Sequence, residues 1–186
     1  MGFYGPSTTI LHTTMEATKH NIKFKNNLSS RKVTKYIILH CTATPEGRDY
    51  TVEQVHSMHL QNGWSGIGYN YVIYRDGTIH EGRPENAVGA HTTNYNSVSI
   101  GITYIGGCDS KMNPKDTRTK EQKDSMYKLV DYLTAKYKLT LDDVKMHNQL
   151  ASKACPSFSK RDFDNEFLDY LENKYEKKCP HCGGKL

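Results

Sequence analysis

Between residues 34 and 175 the chain switches repeatedly between a two-residue and a 3.6-residue hydrophobic period. That alternation constrains the fold more than any other feature. Lys35-Tyr-Ile-Ile-Leu-His-Cys41 is β-rich and reads as a buried strand. Its geometry sets Tyr36, Ile38 and His40 on one face and Ile37, Leu39 and Cys41 on the other. Thr51-Val-Glu-Gln54 has the spacing of a capping box. Val52, Val55 and His59 follow at helical intervals, and Gly63 is a natural stop. Asn70–Arg75, Asp76-Gly77 and Thr78–Glu81 read as a hairpin, because Asp-Gly readily takes the positive φ values of a tight turn. Val98–Ile105 reads as another strand, ended by Gly106-Gly107. Thr119-Lys-Glu-Gln122 opens a second capped helix, with Met126, Leu129, Val130, Leu133 and Tyr137 on one face. Val144–Met146 is a short strand, and a loop runs from there to about Ser159. Phe163, Phe167, Leu168 and Leu171 then make the last helix amphipathic. Strands alternating with helices imply one α/β domain over 34–175.

The two ends differ from this middle. Residues 1–33 hold five Lys/Arg against one acid, without a sustained period, and read as a flexible or loosely docked arm. Residues 176–186 are also basic, whereas 34–175 carry seventeen basic and eighteen acidic residues. The formal charge of +5 therefore belongs to the ends, and a nucleic-acid-binding core is disfavoured. The longest purely aliphatic-aromatic run, Tyr36–Leu39, is far below the ~20 residues of a membrane-spanning helix. The first thirty residues hold no apolar segment of the length a secretory signal needs, so action outside the cytoplasm would require release by other means. Five cysteines at irregular spacing make a poor disulfide framework and point instead to metal binding or free thiols.

Three residues carry candidate chemistry: His40 at a strand end, His147 after a short strand, and Cys155 in the following loop. Two imidazoles and a thiolate are good zinc ligands, and three protein ligands leave a fourth tetrahedral position open. Spacing alone leaves a plainer reading in place: a packed strand-end histidine, an exposed loop histidine and a buried thiol.

The surrounding words add weight. Leu39-His-Cys-Thr-Ala-Thr44, Gly68-Tyr-Asn-Tyr-Val-Ile73, Arg75-Asp-Gly-Thr78, Glu81-Gly-Arg83, Gly89-Ala-His91, Ser99-Ile-Gly101 and His147…Lys153-Ala-Cys-Pro156 occur in this order. Over about 34–165 they resemble the zinc-dependent N-acetylmuramoyl-L-alanine amidases of the type 2 amidase and peptidoglycan-recognition-protein family, in particular its small T7-type phage lysozymes. The resemblance implies a single domain with a central mixed β-sheet flanked by helices. It also implies one catalytic Zn2+ held by His40, His147 and Cys155, with Tyr69 and Lys153 as catalytic residues and His91 in substrate binding. The implied substrate is bacterial peptidoglycan, with no nucleic acid, no membrane insertion and a monomeric chain. If the protein is a phage endolysin, it is made in the host cytoplasm and released to the wall.

Other readings remain at this stage. Some family members bind peptidoglycan without cutting it, typically lacking the cysteine ligand that is present here. Some phage relatives also bind an RNA polymerase, a role the arm or tail could serve. Cys179-x-x-Cys182 has the look of half a zinc ribbon, which a second ion would need a further ligand pair to complete. Cys41 reads as a buried thiol, His56 and His59 as surface or core-edge residues, Tyr71 and Tyr74 as packing residues, and Cys108 as a loop thiol. Trp64 could floor a groove or simply pack, and Arg83 could meet a stem-peptide carboxylate or form a structural ion pair.

Overall fold

The computed structural model describes residues 15–176. Its strands are β1 (Tyr36–Cys41), β2 (Thr44–Pro45), β3 (Tyr71–Ile73), β4 (Ile79–Glu81), β5 (Ser99–Tyr104), β6 (Gly107–Cys108) and β7 (Val144–Met146). Its helices are α1 (Val52–Gln61), α2 (Lys120–Tyr137), α3 (His147–Leu150) and α4 (Lys160–Glu176). Five strands form one sheet in the order β4-β3-β5-β1-β7. β3, β5, β1 and β7 run parallel, and β4 returns antiparallel from β3, so the sheet is mixed. Parallel neighbours need crossovers, which is why the short apolar strands are separated by helices.

The two faces of the sheet carry two cores. Ile37, Leu39 and Cys41 join Met126, Leu129, Val130 and Leu133 of α2 and Phe163 and Phe167 of α4. The smaller core on the other face holds Val52 and Val55 of α1 with Ile67, Val72 and Ile105. Each fully buried α2 side chain contributes about 1.5–3 kcal/mol, so the 3.6-residue spacing read in the sequence is what seats that helix. Both capping boxes form: Thr51 with Gln54, and Thr119 with Gln122. Gln122 does more than cap, because its Nε2 donates to the carbonyls of Ile73 (3.2 Å) and Ile105 (3.0 Å) inside the protein.

Several expectations need correction. Leu168 is 47% exposed; the inner stripe of α4 is Phe163, Phe167, Tyr170 and Leu171, and Leu168 falls off that face. In the hairpin only Gly77 takes a positive φ (+84°); Asp76 instead accepts hydrogen bonds from Thr78, and the turn spans Tyr74 to Thr78. The expected loop after β7 begins with the single helical turn α3. Cys108 is buried in the two-residue β6, paired with β2, rather than in a loop. From residue 15 the N-terminal arm lies along the sheet edge. Thr18 donates to the Ile79 carbonyl (2.9 Å) and accepts from the Glu81 N–H (2.8 Å), covering β4, while Ile22 and Phe24 pack on the smaller core. The Cys179/Cys182 pair lies outside the described residues. Among the described residues no helix is long and apolar enough to cross a membrane.

Candidate metal centre and cleft

β1 and β7 are parallel neighbours with Leu39 opposite Met146. The residues that follow, His40 in β1 and His147 at the start of α3, therefore emerge side by side, with ring centroids 4.5 Å apart. The loop after α3 brings Cys155 to the same point. It is anchored by the Tyr104 hydroxyl donating to the Pro156 carbonyl (2.9 Å) and Ser157 Oγ donating to the Gly107 carbonyl (2.8 Å). One ligand atom from each of His40, His147 and Cys155 lies within 4.8 Å of the others. No other group of three or more His, Cys, Asp or Glu among the described residues has this arrangement.

The donor set fits a metal ion. His147 Nδ1 is buried without any hydrogen-bond partner, a costly state for a polar atom unless something else satisfies it. His40 Nδ1 stands 3.6 Å from Cys155 Sγ. Tetrahedral zinc with bonds of ~2.05 Å to nitrogen and ~2.3 Å to sulfur separates two such ligands by ~3.6 Å. Both imidazoles are held neutral, as ligation requires. Burial pushes His40 well below its ordinary value, with His91 and His147 adding to the effect. Burial and the nearby Lys153 push His147 down. The metal-free thiol is opposed: a hydrogen bond shared with the Cys41 thiol, and then burial, push Cys155 up. A cation would reverse that balance.

A sequence model of the family described as N-acetylmuramoyl-L-alanine amidase matches residues 29–158. The chain belongs to this amidase family. It is 38% identical over 134 residues to the endolysin of Klebsiella phage KP32, covering 72% of this chain and 87% of that one. It is 39% identical over 128 residues to the endolysin of Escherichia phage T7, covering 69% and 83%. Among solved structures it resembles the N-acetylmuramoyl-L-alanine amidase LysC from Clostridium intestinale URNW, with TM-score 0.69 and 31% identity, over 88% of this chain and 99% of that one.

Within this amidase, Tyr69 lies beside the cluster, its ring 5.2 Å from that of His40. Burial, and then the two thiols, push its hydroxyl far above the ordinary tyrosine range, so it stays protonated. It also borders a cleft of about 120 Å³ formed with Thr42, Val55, Met58, His59 and Asn62. Lys153 is exposed in the Cys155 loop, and no acidic side chain among the described residues pairs with it.

His91 does not line this cleft. It is buried behind His40, with Nδ1 3.0 Å from His40 Nε2, and its ring is not open to the cleft. Two features escaped the sequence. The Cys41 N–H donates to Cys155 Sγ (3.2 Å), so a strand-end amide supports the thiolate, and the Cys41 thiol shares a hydrogen bond with the same sulfur. The His91–His40 contact joins residues 51 positions apart. No local pattern encodes either one.

Elsewhere the singled-out side chains hydrogen-bond or pack within the fold. His56 Nδ1 accepts from the Ile67 N–H and His59 Nδ1 from the Gly68 N–H. The Tyr74 hydroxyl accepts from the Val52 N–H, and the Tyr71 hydroxyl donates to Glu85. Arg83 is buried and donates to the carbonyls of Ile67 and Val88 instead of an acid. Trp64 is 41% exposed and lies against His59, their ring centroids 4.5 Å apart.

Proposed function

We propose that this chain is a zinc-dependent peptidoglycan hydrolase that cleaves the amide between N-acetylmuramic acid and the L-alanine of the stem peptide. It would act as a phage endolysin or a bacterial wall-lytic amidase. The observation that carries the reading is the convergence of His40, His147 and Cys155 around an unsatisfied, buried His147 Nδ1. When bound, zinc supplies Lewis acidity, lowering the pKa of water to ~7 and so providing a nucleophile at neutral pH.

The chain's own groups do the rest. His40, His147 and Cys155 would hold the ion, with the Cys41 N–H donating to the sulfur. Tyr69, kept protonated by its surroundings, donates a hydrogen bond to the reacting oxygen and orients it. Lys153, exposed in the Cys155 loop, would place a cation where negative charge develops on the attacked carbonyl oxygen. The cluster contains no carboxylate, so the departing amine takes its proton through Tyr69, Lys153 or solvent. The intact ligand triad favours an enzyme over a receptor that binds without cutting, and production in a host cytoplasm with later release is part of the same proposal.

The test is product analysis. Purified zinc-loaded protein is incubated with isolated sacculi and with soluble muropeptides. The reading expects new N-terminal L-alanine without new reducing sugar ends. Reducing ends, or no release from either substrate, would overturn it.

A further inference from the structure

Each imidazole of the candidate centre must present a lone pair to the ion, and for a neutral ring that depends on which nitrogen carries the proton. For His40 the surrounding hydrogen bonds decide it. The Ser99 hydroxyl spends its single proton on the Tyr95 carbonyl (2.7 Å). Toward His91 Nε2, 3.5 Å away, the Ser99 oxygen can therefore only accept, which puts the His91 proton on Nε2 and leaves Nδ1 as an acceptor. That Nδ1 sits 3.0 Å from His40 Nε2, so His40 is the donor there. The remaining His40 nitrogen, Nδ1, is then unprotonated and faces Cys155 Sγ.

We propose that His91 is a positioning residue: it accepts the His40 Nε2 proton and so fixes the tautomer and ring direction that turn the His40 Nδ1 lone pair toward Cys155 and His147. The inference rests on the metal-centre reading above and adds a residue to it.

The site is built to hold His91 in this pose. Asn96 Oδ1 accepts the backbone N–H groups of both His91 and Thr92 (2.8 Å each), fixing the main chain. Thr92 Oγ1 lies 3.1 Å from His91 Nδ1 and 3.4 Å from His40 Nε2, on the same proton path. The ring lies flush on β5 at Gly101, where a Cβ would come within 2.5 Å of His91 Cδ2. The sequence words Gly89-Ala-His91 and Ser99-Ile-Gly101 thus meet as the two sides of one slot. Outer partners of a metal-bound histidine typically govern affinity by 10–100-fold.

The experiment compares His91→Leu, which removes the acceptor, with His91→Asn, whose Oδ1 can stand near the Nδ1 position. Ser99→Ala is a milder variant that leaves the His91 ring in place. Zinc affinity is measured on the full chain by competition with a chromophoric chelator, with folding checked by circular dichroism. The Leu variant should bind zinc about 10–100-fold more weakly, and Asn should recover most of that loss. In the second readout, ¹⁵N NMR of the imidazoles in chelator-treated protein should show His40 protonated on Nε2 in the parent and a mixture of tautomers in His91→Leu and Ser99→Ala. Parent-like affinity in the Leu variant, or an unchanged His40 tautomer in both variants, overturns the proposal. A parent that binds no zinc overturns the functional reading, and the tautomer measurement on the same sample then decides the role of His91 alone.

Discussion

Lowering the pH of the metal-free protein from about 7.5 to about 5.5 should cost it a large share of its stability through buried imidazoles alone. Burial, and then Arg83 and His56, push His59 from 6.5 to about 4. Burial, and then His147, Arg83 and Arg31, push His91 to about 3. Burial pushes His40 well below 6.5 as well. The folded state thus resists protons that the unfolded chain accepts. Stability is complete above the unfolded value near 6.5 and is lost as pH falls from there toward the folded values. One pH unit below 6.5, each such group has lost roughly 1.4 kcal/mol, so three together remove about 4 kcal/mol. Against a typical total of about 5–15 kcal/mol, that is decisive. The Cys41 thiol, lowered to about 7 chiefly by its hydrogen bond with Cys155, titrates at the upper end of the same window and adds to the loss. Urea unfolding followed by circular dichroism at several pH values, with chelator present, gives the slope directly. His59→Asn should remove about one imidazole's share of it. An unfolding midpoint that does not move between the two pH values would refute the claim that these rings are neutral and buried.

Other outcomes follow from single contacts. Lys153→Ala should lower kcat by ~10²–10³ while zinc content stays at the parent level; unchanged turnover would remove Lys153 from the chemistry. Tyr69→Phe keeps the ring beside His40 but deletes the hydroxyl, and kcat on soluble muropeptides should fall by ~10² or more, with zinc affinity retained. Gln122→Leu strips the Ile105 carbonyl of its buried amide donor and removes one side of the α2 cap. It should cost about 1–3 kcal/mol in urea unfolding without altering zinc binding.

Much of this molecule was legible in the chain because its strands and helices are short, regular and strongly patterned. The Thr51 and Thr119 boxes mark their helices to the residue, since a cap is a local hydrogen-bond pattern. The placement of Ile37, Leu39 and Cys41 on one face of β1 follows from the two-residue period. What escaped were features with no period. α3 is one turn, and β2 and β6 are two residues each, too short for any repeat. The arm docks through isolated residues such as Ile22 and Phe24, whose irregular spacing reads as loose chain. Leu168 looked apolar and therefore inward, although the 3.6-residue geometry turns it out. In the site, ligand types could be named from the sequence. The register that sets His147 beside His40, the Cys41 amide under the sulfur and the burial of His91 are tertiary facts.

X-ray absorption at the zinc edge of the purified protein tests the central claim most directly. The account predicts one sulfur at ~2.3 Å and two imidazole nitrogens at ~2.0–2.1 Å, with the sulfur lost in Cys155→Ser. A zinc shell with no sulfur, or with two or more thiolates, would contradict it.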